Sequence, residues 1–419
     1  MPDFDNAELT QLWPGYQTWD NGSVQNEIDG AIADVSGFHV VWALCRPESA
    51  DFTGGNRLAY FYSSDNKHYT PGGFLFGDST LYDNVAEWSG SVILREDGKL
   101  QTFYTVADSV QPEGVYQMRQ RLATAIQTYE VVDGKLVIHA PEYHALLHGA
   151  SEPDGLLYET PEQASHRERV LPTAHSAKEG SDQTENNCDR DPYHFHDRKT
   201  GDSYLFFEGN TGAEFNPAGV IREEYLGRKI GSGFAPTVDM LKANGCIGVI
   251  KLTNKDKTYG RRLKPWATFN LVTDEVERIN LIEHDGGYYL FTTCHGNKMT
   301  TNGENPDMVN RDIMLGFRAE YLGGPLTPLN GNGVVIQQKS GGVAYAGQEE
   351  NQQHVYSWKI EIDQRGKETG ELLCLSYADW CKASDGTVRK LMNAGPAVRI
   401  KIKGLKTEIV DMEYNIISA

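Results

Sequence analysis

Short runs of apolar and aromatic residues recur along the whole chain, and tight polar turns separate them. Typical runs are FHVVWALC (residues 38–45), RLAYFYSS (57–64) and the hairpin-like SVILREDGKLQTFYTVAD (91–108). Apolar positions at helical spacing are sparse. Runs of this length, bounded by Asp-Gly and Gly-Gly turns, are typical of β-strands joined as hairpins. The pattern therefore predicts an all-β protein.

The strand–turn–strand units share a second feature, a polar or charged cluster directly before the first strand of the unit. Five such clusters occur, at Trp19-Asp20, Ser89, Asp191, Glu277 and Ser357. Five units of four short strands predict a five-bladed β-propeller, formed by residues 1–419 as a single domain. The units are farther apart than the roughly 40 to 50 residues of simple propeller repeats. Long loops are therefore expected at residues 152–187 and 209–234, over the mouth of the channel or on its rim.

Charge and composition narrow the class of partner. The chain has 58 acidic and 39 basic residues and a net charge of −19, which argues against binding to nucleic acid or to anionic membranes. No apolar run approaches the roughly 20 residues of a membrane-spanning helix, and the N-terminus MPDFDNAELTQLWPG lacks the features of an export signal. The cysteines show neither a CxxC pair nor zinc-site spacing, so most are expected to be buried thiols. The sequence alone does not decide whether one or two disulfides form.

The polar clusters are expected to meet at one place. In a propeller the first strand of every blade lines the central channel, so residues that head these strands converge at one end. Two carboxylates beside a glycosidic bond supply the acid and the nucleophile of a retaining reaction, and tryptophan faces stack on sugar rings. The clusters supply such groups as Trp19, Asp20, Trp88, Arg190, Asp191, Glu275, Glu277 and Arg278.

Each cluster also has a purely structural explanation. Asp20 precedes Asn-Gly and suits a turn, Trp88 suits the core, and Arg190 with Asp191 suits a local ion pair. The acidic residues of DEVER (274–278) suit a solvated strand end. Their joint occurrence, in one order and at one position in each unit, favours a sugar-processing site.

Six motifs at these positions carry a family resemblance. TWDNGS, EWSGS, DRDPY, LFFEGNTG, TDEVERINLI and YYLFTTCHGNKMT resemble, in order, the motifs of the glycoside hydrolase family 68 fructosyltransferases, the levansucrases and inulosucrases. The resemblance extends from about Trp19 to Tyr377. It implies a retaining transfer from sucrose through a covalent fructosyl-enzyme, which releases glucose and builds fructan or fructo-oligosaccharides. It also implies an extracellular or periplasmic enzyme that acts on sucrose and sugar acceptors and needs no cofactor for catalysis.

The same resemblance implies roles for three carboxylates. Asp20 is similar to the family's nucleophile, Glu277 to its general acid and base, and Asp191 to the residue that stabilises the transition state. A neighbouring carboxylate such as Glu275 is expected to raise the pKa of the acid.

Further positions are similar to the family's substrate-binding residues. They are Trp19, Trp88, Ser89 and Arg190 for the fructosyl site, Glu208 for orienting Arg190, Glu275 and Arg278 for the glucosyl side, and His295 and Tyr356 for the acceptor side. A lone histidine after a strand is as often only a hydrogen-bonded structural residue, so both interpretations of His295 stay open. An arginine that some members carry has no counterpart here, since SYADWCK (376–382) offers Asp379 instead.

Some members of the family hold a structural calcium ion. The resemblance implies Asp274 and Asn244, with Glu185, as its ligands in this chain. Carboxylate and amide oxygens suit this hard ion. Without calcium, Asp274 is expected to be a turn residue or the partner of a nearby base.

Two alternative functions stay open. One is an invertase-like hydrolase of sucrose or fructans on the same scaffold, and the other is a non-catalytic carbohydrate-binding propeller. The sequence leaves the linkage, β-2,6 or β-2,1, and the oligomeric state undetermined.

Overall fold

A computed structural model describes residues 1–50, 55–83, 85–108, 119–170, 187–215, 238–300, 308, 310–341 and 350–414. Most of these residues lie in five mainly antiparallel sheets, which confirms the predicted all-β class. The first sheet contains β1 (Tyr16–Ser23), β3 (Asp34–Val35), β4 (Phe38–Pro47), β5 (Arg57–Ser63) and β6 (Thr70–Phe74). The second contains β2 (Gln25–Asn26), β7 (Val85–Leu94), β8 (Leu100–Asp108), β9 (Gln120–Gln127) and β12 (Tyr143–Leu146).

The other three sheets follow in chain order. The third contains β13 (Asp189–Asp197), β14 (Asp202–Asn210), β15 (Gly245–Leu252) and β16 (Gly260–Thr268). The fourth contains β17 (Glu277–His284), β18 (Gly287–His295), β19 (Arg311–Ala319), β20 (Thr327–Pro328) and β21 (Val334–Lys339). The fifth contains β22 (Val355–Glu361), β23 (Glu371–Lys382), β24 (Val388–Ala394), β25 (Ala397–Lys403) and β26 (Lys406–Glu413). A separate hairpin contains β10 (Tyr129–Val132) and β11 (Lys135–Ile138).

The first long strands of the five sheets close a ring. β1 contacts β7, β7 contacts β13, β13 contacts β17, β17 contacts β22, and β22 returns to β1. The sheets are therefore the blades of a five-bladed β-propeller, as the repeated units predicted. The N-terminal segment lies against the last blade, where the backbone N–H of Gln11 donates to the carbonyl of Lys382.

The core is divided among the spaces between neighbouring blades. Each of the five interfaces has its own cluster of buried apolar side chains, such as the one that joins Trp19 and Trp42 of the first blade to Tyr104 of the second. The six cysteines are free and buried, so the open question of disulfides is answered in favour of thiols. Burial of both faces explains why many strands read as continuous apolar runs rather than as strict alternation.

Among the described residues, helices are few and short. They are α1 (Pro161–Val170), α2 (Val238–Lys242) and α3 (Gln364–Thr369), with 3-10 turns at Asn6–Glu8, Gly296–Lys298 and Leu329–Gly331. In the described part of the chain, no helix is long and apolar enough to cross a membrane. The first predicted loop contains α1, whereas residues 171–186 and 216–234 of the two predicted loops lie outside the described residues.

All five first strands are bulged at the position of the polar cluster. The register shifts after Trp19 in β1, after Trp88 in β7, after Arg190 in β13, after Glu277 in β17 and after Tyr356 in β22. In four of the blades the bulge holds a residue in the left-handed region, namely Asp20 (φ 47°), Asp191 (57°), Arg278 (53°) and Ser357 (60°). A bulge re-aims side chains at the end of a strand, so the repeated distortion is what points these polar groups into the channel.

Candidate active site

The blade heads are joined to one another by direct hydrogen bonds. Ser89 of the second blade contacts Asp191 of the third, Arg190 of the third contacts Glu277 of the fourth, and Tyr356 of the fifth also contacts Glu277. The predicted residues of four blades therefore form one polar network.

Asp191 is held at both carboxylate oxygens. The Ser89 hydroxyl donates to Oδ1 at 2.5 Å, and the backbone N–H of Arg278 donates to Oδ2 at 3.2 Å. Its own backbone N–H donates to the hydroxyl of Thr105 at 3.0 Å. Thr105 lies on β8, in a run that the sequence marked only as apolar, so no sequence signal distinguished it. The carboxylate of Asp191 is thus fixed before any ligand arrives.

Arg190 bridges two carboxyl groups. Its Nε donates to Glu208 at 2.7 Å and its terminal nitrogen donates to Glu277 at 2.8 Å, while the guanidinium lies 5.8 Å from the centre of the Trp88 ring. Glu208 also accepts from the backbone N–H of Val276 at 2.9 Å and is fully buried. The structure therefore places Glu208 behind Arg190, where it fixes the direction of the guanidinium.

Glu275 and Glu277 lie side by side but ionise very differently. Burial raises the pKa of Glu277 to about 8, and the negative charge of Glu275 adds to this effect. Burial also opposes the ionisation of Glu275. The charge of the His295 imidazolium and the hydrogen bonds that His295 donates outweigh burial and lower the pKa of Glu275 to about 2. Ligand atoms of these three side chains all lie within 4.8 Å of one another, a spacing that a divalent cation could also use. At neutral pH the pair therefore combines one protonated and one ionised carboxyl group.

His295 is tied to Glu275 twice. Its backbone N–H and its ring Nδ1 both lie 2.8 Å from the same carboxylate oxygen, and its ring packs 3.8 Å from that of Tyr356. Burial favours the neutral ring, yet Glu275 and Asp312 raise the pKa of His295 to about 10. The Tyr356 hydroxyl donates to Glu277 at 2.6 Å. His295 thus holds Glu275 in place, while about a third of its own side chain stays exposed.

Asp20 heads the first blade in the left-handed conformation. Burial raises the pKa of Asp20, and the nearby charge of Asp191 adds to the increase, whereas Arg278 and Ser357 favour the ionised form. The neighbouring Trp19 is only 7% exposed, and the Arg46 guanidinium covers its ring at 5.2 Å. Trp19 therefore contributes mainly to the packing between blades, and Trp88 is the more accessible of the two predicted tryptophans.

Arg278 is held by the main chain of the first blade. Its guanidinium donates to the backbone carbonyls of Asp20 at 2.9 Å and Asn21 at 2.5 Å, and the residue is 4% exposed. The guanidinium is therefore bound to the main chain of β1, and a contact of Arg278 with the glucosyl side stays a prediction. The physical reason is the bulge after Glu277, because the left-handed φ of 53° at Arg278 breaks strand alternation and turns the side chain toward β1.

A charged triad behind Tyr356 was not predicted. His354 places Nδ1 2.9 Å from Asp379 and Nε2 2.8 Å from Asp312, and its ring is parallel to that of Tyr356 at 6.3 Å. The two carboxylates overcome burial and raise the pKa of His354 to about 9. The sequence hinted at a difference here only through Asp379, which stands where some members of the family carry an arginine. The three members of the triad are up to 67 residues apart in sequence, from 312 to 379.

The predicted calcium ligand Asn244 is already engaged. Its amide oxygen accepts from Asn210 at 2.8 Å, and its amide nitrogen donates to Glu159 at 3.0 Å. The orientation of Asn210 is set by the backbone N–H of Cys188, which donates to its oxygen at 2.6 Å. Arg167 pairs with both oxygens of Glu159 at 2.9 Å.

This arrangement does not fit calcium at the predicted position. Asn244 presents its oxygen to an amide donor rather than to a cation, and the adjoining carboxylate is neutralised by Arg167. Asp274 is fully buried, and its backbone carbonyl accepts a hydrogen bond from Asn210, which places it next to Asn244. The third predicted ligand, Glu185, lies outside the described residues. We therefore assign no chemistry to a metal ion here.

The class of protein follows from the ionisation of the paired carboxyl groups Glu275 and Glu277. A propeller channel that keeps one carboxyl protonated beside ionised neighbours is equipped for acid-assisted cleavage of glycosidic bonds. The fold and the site thus define a β-propeller of the glycoside hydrolase type. More particularly, the chain belongs to glycoside hydrolase family 68, because residues 1–415 match the family described as Levansucrase/Invertase.

Individual relatives agree with this assignment. A levansucrase of Bacillus amyloliquefaciens is 32% identical over 364 residues, which cover 80% of this chain and 71% of the relative. A protein of Geobacillus stearothermophilus named inactive levansucrase is also 32% identical, with the same coverage. The crystal structure of Bacillus subtilis levansucrase superposes with a TM-score of 0.77 at 27% identity, covering 99% of this chain and 91% of that one. A levansucrase complexed with sucrose gives the same TM-score and identity over 98% and 90%.

Proposed function

We propose that the chain is a sucrose-dependent fructosyltransferase that works by retaining double displacement. The observation that carries the proposal is the opposed ionisation of Glu277 and Glu275 at the head of the fourth blade. Asp20, at the head of the first blade, lies near Asp191 and Arg190 of the third. Sucrose as the substrate is supported by the levansucrase relatives, one of which is solved in complex with sucrose.

In the first step the Asp20 carboxylate attacks the anomeric carbon of the fructosyl unit. The bond from that carbon to the glycosidic oxygen breaks, and Glu277 gives its proton to this oxygen so that neutral glucose leaves. A pKa of about 8 keeps Glu277 protonated for this task at neutral pH. Arg278 and Ser357 favour the ionised form of Asp20 that the attack requires.

In the second step a hydroxyl group of an acceptor displaces the Asp20 carboxylate. Glu277, now ionised, takes the proton of that hydroxyl, which restores the starting state of both residues. Two inversions at the same carbon give net retention of configuration. Asp191 and Arg190 face the fructosyl unit in this scheme, and their fixed hydrogen bonds reduce the cost of orienting them for the transition state.

Two alternatives predict different products. An invertase-like hydrolase transfers the fructosyl unit to water, so free fructose and free glucose appear in equal amounts. A non-catalytic sugar-binding propeller releases neither sugar, and the name of the Geobacillus stearothermophilus relative gives this outcome a precedent in the family. A transferase releases more glucose than fructose, because acceptors retain part of the fructose.

The test is incubation of the protein with sucrose, with quantification of free glucose and free fructose and linkage analysis of any polymer. We expect a glucose-to-fructose ratio well above one at high sucrose concentration. Asp20→Asn is the matched control, since it keeps the side-chain volume and removes the nucleophile. A ratio of one would favour hydrolysis, and absence of both sugars would favour the binding protein.

A further inference from the structure

We propose that Arg278 is a positioning residue that sets the relative placement of the nucleophile, the transition-state stabiliser and the general acid. The inference rests on the proposed function for the roles of these three carboxyl groups. In this role Arg278 contacts the residues that perform the chemistry rather than the substrate.

Arg278 is connected to all three groups. Its backbone N–H donates to Asp191 at 3.2 Å, and its guanidinium donates to the carbonyl of Asp20 at 2.9 Å. A second guanidinium nitrogen donates to the carbonyl of Asn21 at 2.5 Å. Its peptide bond joins it directly to Glu277. One residue therefore links the main chain at Asp20 in the first blade, the carboxylate of Asp191 in the third and the chain next to Glu277 in the fourth.

The contacts with β1 occur where that strand most needs support. The β1 bulge interrupts pairing with β4 between Trp19 and Gly22, so the carbonyls of Asp20 and Asn21 fall outside the regular ladder. Asp20 also has a left-handed φ of 47°, a conformation that surrounding structure must maintain. The planar guanidinium can bond both carbonyls at once, which a lysine ammonium cannot do with the same geometry.

The side chain of Arg278 has little freedom to do anything else. It is 4% exposed, and its guanidinium lies 5.4 Å from the centre of the Trp42 ring. The ammonium of Lys359 lies 5.3 Å from the same ring and pairs with Glu361 at 3.0 Å. Trp42 and Lys359 thus occupy space beside the guanidinium of Arg278.

A second contact from the fifth blade holds the next part of β1. The carboxylate of Glu361 accepts from the backbone N–H of Ser23 at 2.6 Å and from its hydroxyl at 2.5 Å. The segment that follows the nucleophile is therefore anchored independently of Arg278. Loss of Arg278 is expected to shift the head of β1 without releasing the whole strand.

The test compares Arg278→Met and Arg278→Lys in the full chain, with glucose release from sucrose as the assay. Misplacement of reacting groups by about 1 Å costs on the order of a hundredfold in rate. We expect kcat of the methionine variant to fall about a hundredfold, while KM stays within about threefold. The lysine variant should fall less, because it keeps the charge and one of the two contacts.

A matched control separates positioning from general loss of stability. Arg399 is also a buried arginine paired with acidic side chains, but it lies on β25, away from the blade heads. Arg399→Met should lower the melting temperature and leave kcat and KM unchanged. If Arg278→Met fails to fold, the lysine variant is judged by the same criteria.

The outcomes are distinct. A tenfold rise in KM with unchanged kcat would overturn the inference in favour of a substrate contact, and unchanged values of both would overturn it in favour of no role. Wild-type protein that releases no glucose from sucrose would refute the proposed function rather than the role of Arg278.

Discussion

Replacing Glu275 by Gln should move the alkaline limb of the pH–rate profile to lower pH. Glu277 donates a proton only in its protonated form, so activity is lost as the pH rises through its pKa of about 8. The Glu275 carboxylate raises that pKa, because a nearby negative charge disfavours a second one. Removing the charge therefore lowers the pKa of Glu277 and the pH at which activity falls.

The magnitude follows from the geometry. Carboxylate oxygens of Glu275 and Glu277 lie within 4.8 Å of each other. At that separation two unit charges interact by about 3.5 kcal/mol with an effective dielectric constant of 20 and by about 0.9 kcal/mol in water. Since about 1.36 kcal/mol corresponds to one pKa unit, the limb should move by roughly 0.6 to 2.5 pH units. Asp312 continues to favour the imidazolium form of His295 in this variant.

The assay is kcat/KM for glucose release measured from about pH 5 to 9, which reports the ionisation of the free enzyme. His295→Gln is the matched control, because it removes a positive charge that lowers the pKa of Glu277 and should move the limb to higher pH. Thermal melts establish that both variants are folded. An unmoved limb in both variants, or an upward shift in Glu275→Gln, would refute the electrostatic account.

Three further substitutions test other parts of the structure. Ser89→Ala removes a charged hydrogen bond to Asp191, worth about 1.5 to 3 kcal/mol, so kcat/KM should fall about tenfold or more; a change below twofold would exclude a role in the reaction. Arg167→Met leaves the buried Glu159 without its bidentate partner and should lower the free energy of unfolding in urea by about 3 to 5 kcal/mol; a loss below 1 kcal/mol would contradict this. Gly90→Ala places a Cβ 2.0 Å from a main-chain oxygen and should cost about 3 kcal/mol or more in the same measurement; wild-type stability would show that the bulge tolerates a side chain.

The fold was predictable because its signals are local. Hairpin patterns and the polar cluster of each first strand depend on residues close in sequence, and both repeat in every blade. The clusters lie within these strands, at the bulges, rather than before them as predicted. The short helix α3 was missed, because six residues between two strands give no readable helical period. The parallel pairing of β2 with β7 was also missed, since it joins the end of one unit to the next blade.

The site was harder to predict than the fold, because its details depend on distortions and on contacts between blades. Residue types identified the carboxyl groups, but nothing in the motif DEVER shows that Arg278 takes a left-handed conformation and turns toward β1. The network of His354 with Asp312 and Asp379 depends on the packing of the fourth blade against the fifth, because Asp312 lies on β19 and Asp379 on β23. Similarly, the engagement of Asn244 by Asn210 could not be read from either motif.

The covalent intermediate is the most direct test of the central claim. Wild-type protein is mixed with sucrose, quenched in acid during turnover, digested and analysed by mass spectrometry. We expect a fructosyl ester on the peptide that contains Asp20, and no such ester in Asp20→Asn. An adduct on another carboxylate, or glucose release by Asp20→Asn at the wild-type rate, would contradict the central claim.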